Sequence, residues 1–169
     1  RSTHLGHSFP TRRSSDLTTS SNDAKSLQSN RYIKKLGLFN NKVIEEGFGS
    51  KEKTELFEMD ENSLSTIESW LKEGSLPSPN EIMISNDMAR EINKNINDNL
   101  EVNGNNYMIS GIYYDTTYEY EKSYNIFLNV EQDKLLESGE ELSPFIWYKN
   151  IIKTYSLSEE IANNLETKD

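Results

Sequence analysis

The chain contains no cysteine, which excludes disulfides, thiolate metal sites and a cysteine nucleophile. Histidine is nearly absent: His4 and His7 are the only two. His7 opens the run HSFPTRRSSDL over residues 7–17, which matches one reading frame of a common sequencing-adapter oligonucleotide. Residues 1–6 are assigned the same origin. Residues 1–17 are therefore set aside as an unstructured adapter artefact, and natural sequence is expected to be missing upstream of Thr18. Arg12-Arg13 is not a twin-arginine signal, because no apolar stretch follows it. With both histidines discounted, a Ser-His-Asp triad, a His-ligated metal and a His general base are excluded as well. Long apolar runs are also missing. None approaches the roughly 18 residues of a membrane span, so any span would lie outside this stretch.

Basic residues are few. The formal net charge is −10, and it becomes −12 once the leader's three arginines and one aspartate are removed. A phosphate-binding surface needs clustered Lys and Arg. The nearest cluster, Arg31, Lys34 and Lys35, is brief, so nucleic acid is excluded as a partner and adhesion to an anionic lipid surface is disfavoured. Alanine numbers three against nineteen asparagines and fourteen isoleucines. That bias points to an A+T-rich coding genome, such as that of a low-GC Gram-positive bacterium.

What remains is 152 residues, enough for one domain or two small lobes sharing a core. Residues 18–30, TTSSNDAKSLQSN, are small and polar and read as a linker. Tyr32, Ile33 and Leu36 predict one or two helical turns stopped by Gly37. Val43-Ile44 reads as a strand fragment. Gly47 to Lys51 lacks the phosphate-loop spacing G-x-x-x-x-G-K-[ST] and reads as a turn. Glu55 to Met59 predicts a strand. Asn62 or Ser63 is expected to cap a helix through Ser65 to Lys72, with Leu64, Ile67, Trp70 and Leu71 facing the core and Gly74 ending it. Asn125 to Val130 alternates as a strand, a helical turn ends at Gly139, and Phe145 to Tyr148 gives a further strand. Ser156 or Ser158 then caps a last helix with Leu157, Ile161, Ala162 and Leu165 on one face.

Residues 76–115 are the most informative. Ile82 and Ile84 alternate with Met83 and Ser85, the period of a half-buried strand. Asn86 is placed to cap a helix carrying Met88, Ala89 and Ile92 on one stripe. Leu100 and Val102 lead to Asn103-Gly104, a tight-turn pair, and Tyr107, Ile109 and Gly111-Ile112 form the return strand. This order of short motifs resembles the extracytoplasmic domain of MacB/FtsX-type ABC transporter permeases. The matching residues are Gly74, Leu76-Pro77, Asn80 to Ser85, Met88-Ala89, Asn103-Gly104, Tyr107 and Gly111 to Asp115. Asn97-Asp98 stands where the family often has Gly-Asp, and asparagine tolerates the left-handed conformation that such a turn needs.

The resemblance implies an α+β fold of mixed β-sheet lobes with a few short helices, the MacB-like periplasmic core, over residues 31–169. It implies a location at the cell membrane, on the extracytoplasmic side, with one transmembrane helix before the domain and three after it. Implied partners are an ABC ATPase subunit, a second permease copy or homologue, and a lipid, peptide or protein substrate. No cofactor and no metal are implied, and the lobe is not expected to be an enzyme. The alternative is a free-standing secreted or cytosolic protein-binding module.

Tyr113, Tyr114, Tyr118, Tyr120 and Tyr124 form the candidate partner-contact surface, because tyrosine gives large contact area at low entropic cost. The alternative for the cluster is ordinary strand packing. Glu45-Glu46, Asp60-Glu61 and Glu140-Glu141 are the carboxylate pairs a hydrolase would need, and their polar surroundings read as solvated faces. Asp98 reads as a turn residue and Asp115 as a strand terminator, with no EF-hand order of ligands around them or Glu119.

Overall fold

The structure is a computed structural model that describes residues 18–50, 53–115, 124–149 and 161–163. Eight strands form one mixed sheet: β1 (Ile33–Ile44), β2 (Thr54–Met59), β3 (Leu71–Gly74), β4 (Glu81–Ser85), β5 (Asn99–Val102), β6 (Asn105–Tyr113), β7 (Tyr124–Asn129) and β8 (Ser143–Tyr148). Their order is β3-β6-β4-β7-β2-β1-β8, with β5 paired to the free half of β6. β2 runs parallel to β7 and β4 parallel to β6, while the other pairs are antiparallel. The helices are short: α1 (Ser21–Gln28), α2 (Glu61–Leu64), α3 (Asn86–Glu91) and α4 (Gln132–Glu137).

Adjacent strand residues point to opposite faces, and this divides the core. Leu56, Ile82, Ile84, Ile109, Ile126 and Leu128 lie on one face with α3's Met88 and Ala89. Leu36, Leu38 and Ile146 continue that face under α1 and α4, where Ala24, Leu27, Leu135 and Leu136 meet them. Met59, Met83, Tyr113 and Phe127 occupy the opposite face, beneath Leu64 and Ile67. β4 and β7 are central strands, so Ile82, Met83 and Ile84 are all buried, where alternation alone predicted one wet face.

The hairpin and the helix before it follow the expected plan. Asn103 and Gly104 have φ of 51° and 82°, the turn that joins Val102 to Asn105. Asn97 takes φ 73°, the left-handed role anticipated for it. The cap of α3 shifts by one residue: Ser85 Oγ accepts the Met88 N–H.

Three expectations are corrected. Residues 18–30 are no linker. Ser20 caps α1, Ala24 and Leu27 are buried, and Thr19 bridges Leu142 in both directions. The spacing of Tyr32, Ile33 and Leu36 is not helical but belongs to β1, whose consecutive Leu36, Gly37 and Leu38 are buried. Gly37 has no room for a side chain, because Ser63 of α2 lies against it. The helix of residues 65–72 is instead a four-residue α2 capped by Asp60, a 3₁₀ segment over Ser65–Trp70, and then β3. Trp70 is 44% exposed, its ring resting on Tyr113 and Phe127 at the sheet's rim. Residues 1–17, and the last helix apart from Ile161–Asn163, lie outside the described residues.

Candidate functional site

β2 and β7 are parallel, so their carboxyl ends open at the same edge of the sheet, beside the segment that leads into the antiparallel β4. Crevices form at such ends because successive elements leave in different directions. Here two pockets adjoin through Asn62 and Gln132, and together they make the trough. One half, about 520 Å³, is lined by Asp60 and Glu61 after β2, Leu76 to Pro79 before β4, and Asn129, Glu131 and Gln132 after β7. The other, about 490 Å³, is lined by Gln28, Ile33, Lys34, Lys35 and Leu36. Asn62 and Gln132 border both halves.

Asp60 anchors the site. It is 3% exposed, and its carboxylate accepts the Leu38 and Ser63 N–H groups, each at 2.8 Å, and the Gln132 amide at 2.6 Å. Burial pushes its pKa above the ordinary 3.8, although those hydrogen bonds oppose the shift. It was expected on a solvated face. The chain places it in the wall because it must cap α2 while holding β1's backbone.

Gln132 uses its whole side-chain amide. Its oxygen accepts from Gln28 of α1, and its nitrogen donates to Leu36 O at 3.0 Å and to Asp60. Asn62 donates to the same Leu36 carbonyl at 2.8 Å. The entry helix, the first strand and the β2–α2 junction are thereby tied at one residue. No sequence motif marks Gln132, since its three partners lie 104, 96 and 72 residues away along the chain.

Of the tyrosine set, Tyr113 and Tyr124 are packed into the sheet rather than open to a partner. Tyr113 is buried and donates to Asn125 O; burial raises its pKa. Tyr124 is buried and donates to the Glu91 carboxylate. Both sit on strands flanked on each side, so packing claims their rings and neither is open to a partner. Tyr114 is 58% exposed, and Tyr118 and Tyr120 lie outside the described residues. Asp98 accepts the Asn95 N–H within its turn, and Asp115 accepts the Asp87 N–H at the start of α3. Among the described residues no cluster of three or more acidic or histidine side chains is arranged to hold a metal.

Two solved structures share this architecture. The periplasmic region of MacB from Actinobacillus actinomycetemcomitans superposes with a TM-score of 0.63 at 14% identity, covering 94% of this chain and 81% of that one. The extracellular domain of the noncanonic ABC-type transporter YknZ from Gram-positive bacteria gives a TM-score of 0.61 at 13% identity, covering 89% and 84%. No protein-family model matches the sequence, and no curated protein matches it. The chain has the fold of the extracytoplasmic domains of MacB-type permeases, a mixed sheet with a few short helices. Among the described residues no helix is long and apolar enough to cross a membrane.

Proposed function

We propose that this chain is the extracytoplasmic lobe of an ABC transporter permease, a non-catalytic body that couples ATPase-driven motion to export or to a partner outside the membrane. In this reading a cytoplasmic ATPase subunit drives membrane helices on both sides of the lobe, and a second permease copy or homologue completes the complex. The observation that carries it is the fold shared with the extracytoplasmic domains of MacB and of YknZ; within it, elements from early and late in the described residues meet. Ala24 and Leu27 of α1 and Ile161 pack into the same apolar cluster, and Ala162 is buried at 3% exposure. Movement of either element would therefore reach the sheet through the same contact.

The side-chain inventory supports a mechanical role. Beyond residue 17 the chain has neither histidine nor cysteine. Asp60, the buried carboxylate of the trough, is occupied by three donors. Recovery of the uninterrupted gene tests the proposal. An apolar span upstream of Thr18, three downstream of Asp169 and an adjacent ATPase gene are expected. An intact reading frame without flanking spans would reject it and leave the free-standing binding module.

A further inference from the structure

We infer that the trough is a docking site for an extended peptide segment of a partner protein, acidic at one end of the segment and basic at the other. The inference deepens the permease reading and rests on it for the partner's location, but not for its test.

Charge polarity selects the occupant. The half beside β1 presents the charge of Lys34, and the half beside α2 and α4 presents those of Glu61 and Glu131. Lys34 is the extra residue of a β-bulge, since Ile33 pairs with Tyr148 and Lys35 with the very next residue, Trp147. Bulges re-aim side chains at sheet edges, and this one leaves Lys34 exposed at the pocket in a chain of net charge −10, while Lys35 Nζ donates to Ser65 Oγ at 3.2 Å and lies over the Trp147 ring. Lys34, Glu61 and Glu131 are exposed. The ion pairs among the described residues involve Lys42, Glu58, Glu140, Arg90 and Asp87 instead.

A bilayer surface is broad and of one sign, whereas this trough is concave and of both. Nucleic acid would place phosphates against Glu61 and Glu131. An extended peptide supplies both signs along its length, and each half lies within the size range of ligand pockets. The septum between them contains Gln132, which is bonded to α1 through Gln28. A peptide lying across that septum would therefore touch the residue that ties the entry helix to the sheet.

The test titrates the purified full chain with a blocked peptide carrying two glutamates at one end and two lysines at the other. All-acidic and all-basic peptides of equal length, and phosphatidylglycerol vesicles, are run beside it. The block peptide should bind best, with affinity falling as salt is added. Lys34→Glu and Glu131→Lys should each weaken it about tenfold. A variant with Lys34, Glu61 and Glu131 all reversed should recover binding, because the peptide can turn end for end. A folding defect would persist in that variant, so recovery separates charge matching from damage. The inference is overturned by equal binding of a single-sign peptide, by no binding at about 1 mM, by indifference to the substitutions, or by vesicle binding that depends on Lys34. Peptide binding without flanking membrane spans in the gene would reject the permease reading alone.

Discussion

Gly74 and Gly111 are cross-strand partners at the junction of β3 and β6, and neither has room for a methyl group. A Cβ on Gly74 would overlap Ser110 O, and one on Gly111 would overlap Ser75 O. Both glycines belong to the sequence pattern that first suggested the fold. Their physical reason is this close approach, which lets Ser75 N bond Ser110 O at 2.9 Å and Ser110 Oγ bond Ser75 O at 3.1 Å.

Gly111→Ala should therefore destabilise the chain by about 2–4 kcal/mol, the scale of backbone displacement in a packed site. Gly74→Ala adds the cost of φ 81°. Gly104→Ala is the control: it shares a positive φ but meets nothing within 4 Å, so only the left-handed penalty of about 1–2 kcal/mol applies. Urea midpoints should rank Gly104→Ala well above the other two. Equal midpoints would show that the β3–β6 approach is soft.

Asp60 gives a pH prediction whose sign follows from burial. Its folded pKa lies above the ordinary 3.8, so between those two values the folded state binds more protons than the unfolded chain. This group's contribution therefore falls as pH rises through that window and is recovered on acidification. Wild type should gain stability relative to Asp60→Asn between about pH 7 and pH 4; a relative loss would contradict the assignment. Asp60→Ala leaves the buried Leu38 and Ser63 N–H groups without their acceptor and should cost about 2–4 kcal/mol at neutral pH.

Gln132 should transmit changes from α1 to α2. Gln132→Ala removes one donor from Leu36 O and Asp60 and the acceptor for Gln28, at about 1–2 kcal/mol. Gln28→Ala is exposed and should cost about 0.5 kcal/mol or less, yet it should speed hydrogen exchange at the Leu38 and Ser63 amides. In the Gln132→Ala background that effect should vanish. Persistence there would mean the signal travels by another route.

How much was legible depended on the range of the interactions. The unit from β4 to β6 could be read because its cap, stripe and Asn103-Gly104 turn act within a few residues. β1 was misread because a strand buried on both faces does not alternate, and Tyr32, Ile33 and Leu36 happened to sit at helical spacing. α1 was missed because Ala24 and Leu27 are its only buried positions, too few to mark a stripe in polar sequence. The tyrosines were grouped by sequence, although two of them belong to central strands. The trough could not be read at all: Lys34, Glu61, Pro77 and Glu131 come together only when β1, β2, β4 and β7 take their places in the sheet.

The placement of the lobe outside the membrane is tested most directly by cysteine labelling, for which a chain with no cysteine is well suited. Val43 is 60% exposed, so Val43→Cys is the probe, expressed in the recovered full-length gene with any cysteine elsewhere replaced by serine and treated with a membrane-impermeant maleimide. Labelling in intact cells as complete as in lysed cells is the predicted result. Labelling only after lysis would contradict the account.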